Sequence, residues 1–479
     1  MNRLAVINVV GLTESLIGPQ TPRLVEFLQR GAMTRIVPAF PAVTCTAQSN
    51  YLTGKTPREH GIVGNGWYHR ELAEVQFWKQ SNHLVQAAKV WEELRARHPA
   101  FTCAKLFWWH NMYSSADYSI TPRPMYPADG RKVFDIHAWP YSIRADIKRD
   151  LGEFPFFGFW GPAAGVDTPQ GAADATSRWI AESAKWMEIK YQPGLSLVYL
   201  PHLDYNLQRH GPHARDAPGG ATRTPRSANP LIHRDLEQID VIVGDLIAYY
   251  QGRGVRVLVL SEYGITNVDT PIHLNRIFRE QGWVSIKEEL GLELLDCGAS
   301  KAFAVADHQV AHIYLNDRSL EHPVRELVAR QRGVQHVLGP NEKTELHVDH
   351  PRAGDFVAVA EENAWFTYYY WHDNSRAPDF ARTVDIHRKP GFDPVELFLD
   401  PKLPAVELRI AWRLLRKRLG FRMLMDVIPL DATLVKGSHG CRPANAGDWP
   451  VLIAGERSAL AGPELDSTHI FQVIRSLIG

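Results

Sequence analysis

Residues 4–11 read Leu-Ala-Val-Ile-Asn-Val-Val-Gly, and this stretch decides the fold class. Its apolar run is typical of a parallel strand that is buried on both faces of a sheet. Gly11 ends the run, and Thr21-Pro22 then opens a helical pattern in which Leu24 and Phe27 share one face. This alternation of strand and helix predicts an α/β protein.

Two later apolar runs, Leu195–Leu200 and Val255–Leu260, have the same β-like character. Polar residues follow each run, among them Asp204 after the first and Glu262 after the second. In open α/β sheets, active sites gather at the carboxyl ends of the strands. The sequence therefore predicts that Asp204 and Glu262 lie at an active site.

The charge of the chain limits its partners. The 479 residues include 53 Lys and Arg and 53 Asp and Glu, so the formal net charge is zero. Such a balance gives no general electrostatic attraction to nucleic acid or to an anionic membrane. We therefore expect a small phosphorylated or nucleotide substrate rather than a nucleic acid polymer. No stretch approaches the ~18 apolar residues of a membrane span, so none is predicted.

The N-terminus and the cysteines favour a cytoplasmic protein. The first apolar stretch is short and runs into Gly11 and Thr13 without the small-residue cleavage site of a secretory signal. The four cysteines are widely spaced and form no CxxC pair. We expect buried free thiols in a reducing cytoplasm, with disulfides as the alternative. The sequence carries no signal for the oligomeric state.

From about Ala302 onward, the sequence pattern consists of shorter strand-like pieces, such as Ala311–Leu315 and Trp365–Trp371. These pieces predict an inserted α+β unit. The expected organisation is a core at 1–300, an insertion at 301–425 and a return to the core at 426–479. A separate segment, Asp216–Asn229, is rich in Pro, Gly, Arg and Thr. It predicts a mobile surface loop, which could act as a lid over the Asp204 region.

Several motifs carry a resemblance to a known family. They are Phe40-Pro41-Ala42-Val43-Thr44, Tyr51-Leu52-Thr53-Gly54, His60-Gly61-Ile62, Ser261-Glu262-Tyr263-Gly264 and Gly437-Ser438-His439-Gly440. In order and spacing they resemble the nucleotide pyrophosphatase/phosphodiesterase family of the alkaline-phosphatase superfamily. The resemblance implies an alkaline-phosphatase-like core, with a mostly parallel central sheet flanked by helices and a smaller inserted α+β cap. It also places Thr44 at the position of the catalytic nucleophile.

The same resemblance implies two divalent ions, most readily zinc, held by Asp and His near the threonine. Here Val10, Gln208 and Tyr263 stand where family members have Asp, His and His. The remaining candidate ligands are Thr44, Asp204, Glu262 and His439, together with the neutral side chains of Asn8 and Gln208. An oxygen-rich set favours Mg or Mn over Zn. A remodelled two-metal site, a one-metal site and an inactive site all stay open.

Four further residues are candidates for substrate binding: Asn65, Arg123, Arg388 and Lys389. Arginine and lysine can hold a phosphate, and the alternative for Arg388 and Lys389 is a surface turn with solvated charges. The aromatic residues Trp108 and Trp109 could stack on a nucleobase or simply pack in an aromatic core.

The sequence favours a metal-dependent phosphodiester or pyrophosphate hydrolase that acts through Thr44. A nucleotidyl or phosphoryl transferase would follow if an alcohol or phosphate replaced water as the acceptor. A phosphonate hydrolase and a catalytically silent binding protein are the alternatives. A sulfatase is disfavoured, since Thr44-Cys45-Thr46-Ala47-Gln48 lacks the Cys/Ser-x-Pro-x-Arg signature of that class.

Overall fold

The computed structural model describes residues 1–214, 227–460 and 462–479. Its largest feature is a nine-stranded sheet. In spatial order the strands are Glu464–Asp466, Ala32–Val37, Val451–Ala454, Arg256–Leu260, Leu4–Val9, Leu195–Leu200, Cys103–Leu106, Tyr118–Pro122 and Ile136–Trp139. Most of the predicted loop Asp216–Asn229 lies outside the described residues, so its predicted role as a lid stays a prediction.

The centre of the sheet is parallel. Leu4–Val9 pairs in parallel with Leu195–Leu200 on one side and with Arg256–Leu260 on the other. Every residue of Leu4–Val9 is buried, as the continuous apolar run predicts. Antiparallel pairs lie away from this centre: Val451–Ala454 joins Arg256–Leu260 and Ala32–Val37 on one side, and Tyr118–Pro122 joins Ile136–Trp139 at the other end. The α/β prediction is confirmed, and the carboxyl ends of the central strands meet at one edge.

Helices flank the sheet and share its apolar core. Thirteen α-helices occur in the described residues: Pro22–Arg30, Thr44–Thr53, Pro57–His60, Val90–Arg97, Ser142–Leu151, Ala175–Tyr191, His202–His210, His233–Gln251, Leu274–Glu280, Glu321–Ala329, Pro340–Glu345, Val406–Arg418 and Ile470–Ile478. The last of these packs against Thr44–Thr53, so the C-terminal end of the chain supports the helix of the candidate nucleophile.

A second sheet lies within the predicted insertion. Its four antiparallel strands follow the order Ala302–Asp307, Val310–Leu315, Phe356–Ala360 and Val334–Leu338. They belong to a second apolar cluster, which matches the predicted strand at Ala311–Leu315. The boundaries at 300 and 425 stay a prediction.

The remaining strands of the described residues form four two-stranded sheets. Their pairs are Gly66–His69 with Glu74–Phe77, Thr266–Asn267 with Gly437–Ser438, Thr270–Ile272 with Ala364–Phe366, and Ser285–Glu289 with Leu292–Asp296.

The predicted strand Trp365–Trp371 is wrong over most of its length. The strand spans only Ala364–Phe366. Tyr368, Tyr369, Tyr370 and Trp371 are all buried in a third apolar cluster. The β-like aromatic composition therefore reflects a packed aromatic core without a partner strand.

The cysteine prediction is confirmed, because Cys45, Cys103, Cys297 and Cys441 are all buried and unpaired. Among the described residues, no helix has the length and apolar character needed to cross a membrane.

Candidate active site

The candidate site lies at the carboxyl edge of the parallel strands. Asn8 is near the end of the first strand, Asp204 lies in the helix that follows Leu195–Leu200, and Glu262 follows Arg256–Leu260. The turn segment that contains His439 and the first turn of the helix Thr44–Thr53 reach the same edge, because His439 and Thr44 both contact Tyr263, the residue after Glu262. The fold therefore brings together all six residues that the sequence proposed as nucleophile or metal ligands.

Thr44 is the first residue of its helix and is 3% exposed. Its Oγ1 lies 3.4 Å from the hydroxyl oxygen of Tyr263. The next residue, Cys45, donates its backbone N–H to Oδ1 of Asn65 at 3.0 Å, and the helix ends at Gly54 in the left-handed conformation. These contacts fix the first turn, so the hydroxyl of Thr44 has a defined direction.

Asp204 receives hydrogen bonds on both carboxylate oxygens. The Tyr263 hydroxyl donates to Oδ1 at 3.0 Å, and Nε2 of Gln208 donates to Oδ2 at 2.7 Å. Gln208 is four residues after Asp204 on the same helix, so both side chains share a face. Burial raises the pKa of Asp204 to about 6, and the two hydrogen bonds oppose that rise. Thr44, Tyr263 and Asp204 thus form one chain of contacts.

Glu262 is held by two amides. Asn8 Nδ2 and Gln48 Nε2 both donate to Oε1 of Glu262 at 2.5 Å. Gln48 accepts in turn from the backbone N–H of Trp109 at 2.7 Å. Burial raises the pKa of Glu262 to about 8, while the hydrogen bonds from Gln48 and Asn8 oppose the rise. Gln48 was not proposed from the sequence, but it lies four residues after Thr44, and this helical spacing was the available signal.

Four aromatic rings stack into a column beside Thr44, which we call the ring column: Tyr263, His439, His308 and Phe392. The centroids of successive rings are 3.5, 3.7 and 3.6 Å apart. His439 Nδ1 lies 2.8 Å from the carbonyl oxygen of Ala42, an acceptor only, so this nitrogen carries the proton. Burial holds the pKa of both histidines well below the usual range.

Asn65 is joined to the second sheet through Asp307. Its backbone N–H donates to Oδ2 of Asp307 at 2.8 Å, and its Nδ2 donates to Oδ1 at 3.0 Å. Oδ1 of Asp307 also lies 2.9 Å from Nδ1 of His308. Because Oδ1 of Asn65 accepts from Cys45, this predicted substrate-binding residue lies next to Thr44.

The other predicted substrate-binding residues have their contacts elsewhere. Arg123 is exposed and its guanidinium lies 5.9 Å from the ring centroid of Tyr126. Arg388 is exposed and binds Asp379 at 3.1 Å. Lys389 is buried and lies 2.7 Å from both Asp393 and Glu396, so its charge is already balanced. Trp108 and Trp109 are buried and belong to the packed aromatic cores. Phosphate binding by Arg123, Arg388 and Lys389 stays a prediction.

The residues present do not complete a two-metal set. The side chain of Val10 has no atom that can bind a metal. Tyr263 and Gln208 donate hydrogen bonds to Asp204. In the part of the chain that the structure describes, no three His, Cys, Asp or Glu side chains form a group that could hold a metal ion. Four buried atoms that carry a free lone pair nevertheless have no hydrogen-bond partner: Asn8 Oδ1, Gln208 Oε1, Glu262 Oε2 and His439 Nε2. A smaller set, dominated by oxygen, fits a single cation better than a zinc pair.

Comparison with known proteins gives the family. The sequence model of type I phosphodiesterase/nucleotide pyrophosphatase matches residues 4–393. A comparison with curated proteins finds no match. Enzymes of the matched family are hydrolases of the phosphodiesterase/pyrophosphatase type and are in general metal-dependent.

Solved structures share the fold. An inactive variant of murine ectonucleotide pyrophosphatase/phosphodiesterase 5, in complex with AMP, is 13% identical with a TM-score of 0.57, covering 100% of this chain and 95% of that one. Phosphonoacetate hydrolase from Sinorhizobium meliloti, in complex with phosphonoformate, is 13% identical with a TM-score of 0.58, covering 100% and 96%. With its fold and its sequence match in agreement, the chain belongs to the type I phosphodiesterase/nucleotide pyrophosphatase family, with an alkaline-phosphatase-like fold.

Proposed function

We propose that this protein hydrolyses a phosphodiester or pyrophosphate bond of a small phosphorylated substrate, with Thr44 as the nucleophile. The observation that carries the proposal is the contact between Thr44 Oγ1 and the Tyr263 hydroxyl, which is itself bonded to the carboxylate of Asp204. A threonine hydroxyl is a weak nucleophile until its proton has an acceptor. This chain of contacts offers one.

The reaction then has two steps. In the first, Oγ1 attacks phosphorus, its proton passes to the Tyr263 oxygen, and the Tyr263 proton passes to Asp204. The leaving oxygen departs with the electron pair of the broken P–O bond. In the second, water attacks phosphorus, and the bond between phosphorus and Oγ1 of Thr44 breaks with its electron pair on Oγ1. The proton held by Asp204 returns through Tyr263 to Oγ1, and the proton lost by the water passes to the solvent. If an alcohol attacked the same intermediate in place of water, the reaction would be that of a transferase.

Asn8 and Glu262 are the residues that would hold a divalent cation beside Thr44. Each has one buried oxygen without a partner, and the two side chains are bonded to each other. Amide and carboxylate oxygens are hard ligands, which favours Mg or Mn over Zn. Such an ion supplies positive charge that lowers the pKa of a nearby hydroxyl and stabilises charge on phosphoryl oxygens.

The test is hydrolysis of bis-p-nitrophenyl phosphate by the wild type, Thr44→Ala and Thr44→Ser, each with Mg, Mn, Zn or a chelator. We expect Thr44→Ala to lower kcat by about a thousandfold or more and Thr44→Ser to keep a measurable rate, since removal of a nucleophile abolishes the covalent route. Thr53→Ala is the matched control, because Thr53 is buried in the same helix and its hydroxyl bonds to Ser49. A Thr44→Ala enzyme as fast as the wild type would overturn the proposal.

A catalytically silent ligand-binding protein is the second candidate. It is favoured by the burial of Thr44 and by the hydrogen bonds that occupy both oxygens of Asp204. It predicts saturable binding of AMP or phosphonoacetate by calorimetry, with no turnover of either compound or of bis-p-nitrophenyl phosphate under any metal condition. Turnover of phosphonoacetate alone would instead identify a phosphonate hydrolase.

A further inference from the structure

The helix Val406–Arg418 and the turn after it expose an apolar stripe. Leu408, Trp412, Leu415 and Leu419 are 73%, 58%, 47% and 64% exposed. Their spacing of four, three and four residues places them on one face of a helix. Exposed apolar side chains are common when scattered, but a contiguous stripe marks an interaction surface.

The opposite face of the helix attaches it to the body of the protein. Val406 and Ile410 pack against the third apolar cluster. Arg409 and Arg413 both bind Asp426, at 2.6 and 2.8 Å. The helix is therefore anchored through this face, and the apolar stripe on the opposite face points to solvent.

Positive charge accompanies the stripe. Arg416, Lys417 and Arg418 form no ion pair with any carboxylate in the described residues, and the Arg416 guanidinium lies 5.8 Å from the ring centroid of Phe421. Phe421 is itself exposed. Because the whole chain has zero net charge, this basic cluster is a local feature that the overall balance conceals.

We propose that this face docks the protein on an anionic membrane surface. A helix with leucine and tryptophan on one face and unpaired arginines on both sides of that face fits the boundary between headgroups and acyl chains. The leucines and Trp412 would enter this boundary while Arg416, four residues after Trp412, and Arg418, three residues after Leu415, meet the lipid phosphates. A second copy of the chain fits the stripe less well, because it would bring the unpaired arginines of each copy together.

The segment after the helix extends the same surface. Arg422 donates to the carbonyl oxygen of Asp129 at 3.1 Å, which ties this segment to the loop that the isolated β-bridge between Met125 and Val133 closes. Met125 and Tyr126 are exposed there as well. A tyrosine at the edge of an apolar surface suits a membrane interface, where its ring is apolar and its hydroxyl stays wet.

Vesicle co-sedimentation of the full chain tests the proposal. We expect binding to vesicles of phosphatidylglycerol and phosphatidylcholine, weaker binding at high salt, and no binding to phosphatidylcholine alone. A variant with Leu408→Ser, Trp412→Ser and Leu415→Ser should bind at least about tenfold more weakly, since it loses most of the apolar stripe. A second variant with Arg416→Glu and Arg418→Glu should bind at least about twenty-five times more weakly, since each basic residue near the surface contributes about fivefold and the reversed charge adds repulsion.

Leu290→Ser is the matched control. Leu290 is fully exposed between the strands Ser285–Glu289 and Leu292–Asp296. The Leu290→Ser variant should therefore bind vesicles like the wild type. Because the mutated side chains are exposed or, for Arg416, half-buried at the surface, circular dichroism and thermal unfolding should not change in any variant. Wild-type protein that stays in the supernatant with both vesicle types contradicts the proposal. The proposal is also contradicted if light scattering shows that the wild type is a dimer and that the variant at Leu408, Trp412 and Leu415 is a monomer.

Discussion

Tyr263 stands where the family resemblance implies an imidazole, and its hydroxyl connects Thr44 with Asp204. We predict that Tyr263→Phe lowers kcat by about a hundredfold with little change in KM, because proton transfer by a positioned group contributes about 10²–10⁴ in rate. Steady-state kinetics on bis-p-nitrophenyl phosphate measures the effect. Tyr250→Phe is the control, since Tyr250 is buried in a helix on the flank of the sheet. Unchanged kcat in Tyr263→Phe would remove Tyr263 from the mechanism and leave Thr44 to be tested separately.

A double change back towards the family pattern gives a second prediction at this scale. Gln208→His with Tyr263→His restores two imidazoles beside Asp204, and imidazole and carboxylate are good zinc ligands. We expect the variant to retain about one more equivalent of zinc than the wild type, as measured by elemental analysis after dialysis. Gln281→His is the control, because Gln281 is exposed at the end of the helix Leu274–Glu280, whereas Asp204 is buried. Equal zinc in variant and wild type contradicts the assignment of these positions.

Lys105 is a buried amine that positions the segment next to Gln48. Its Nζ donates to the carbonyl oxygens of Trp109 and His110 at 2.7 and 2.9 Å. Burial lowers the pKa of Lys105 to about 7 in the folded protein, while the unfolded chain has the ordinary value of about 10.4. Between these values the unfolded state binds one more proton, so folding stability rises with pH. This contribution is fully present above about pH 10.4 and is lost as the pH falls to about 7.

Lys105→Met removes this titration. The stability of the wild type relative to the variant should therefore increase by up to about 1.4 kcal/mol per pH unit between pH 7 and 10. Urea unfolding across this range measures it. Lys301→Met, at an exposed lysine, should show no such slope. A flat difference between wild type and Lys105→Met contradicts the buried-amine interpretation.

At the scale of elements, the helix Thr44–Thr53 depends on the glycine that ends it. Gly54 has a φ of 65°, and a Cβ there would lie 3.0–3.3 Å from atoms of Phe471. We predict that Gly54→Ala destabilises the protein by about 1–2 kcal/mol, because a left-handed alanine and a displaced Phe471 both cost free energy. Thermal unfolding measures the loss. Gly18→Ala, where no atom lies within 4 Å, should cost much less.

The elements show what the sequence can predict. Leu4–Val9 and Leu195–Leu200 were predictable because a strand buried on both faces is continuously apolar. Trp365–Trp371 was not, because aromatic residues are equally suited to a strand and to a packed core. The site divides in the same way: motif spacing predicts the positions of Thr44, Asp204 and His439. The hydrogen bonds of Tyr263 and Gln48 join residues more than fifty positions apart and depend on tertiary geometry.

At the scale of the whole molecule, Asp307 links the second sheet to the core. It accepts two hydrogen bonds from Asn65, which in turn holds the first turn of the Thr44 helix. We predict that Asp307→Ala lowers stability by about 2–4 kcal/mol, because it leaves buried donors without partners. Calorimetry measures the change, and Asp317→Ala, at a half-buried helix cap, should cost about 1 kcal/mol or less. An equal loss in the two variants contradicts the linking role.

The ring column has a spectroscopic consequence. His439 lies face to face with Tyr263, and His308 lies face to face with Phe392, at centroid distances of 3.5 and 3.6 Å. The circulating π electrons of each neighbour shield the carbon-bound protons of the imidazole, so these resonances shift upfield in a proton NMR spectrum. A molecule that separates Tyr263 from His439 removes the shielding of His439 by the tyrosine ring, whereas His308 keeps its contact with Phe392. His439 thus acts as a built-in reporter of occupancy next to Thr44, with His308 as the internal reference.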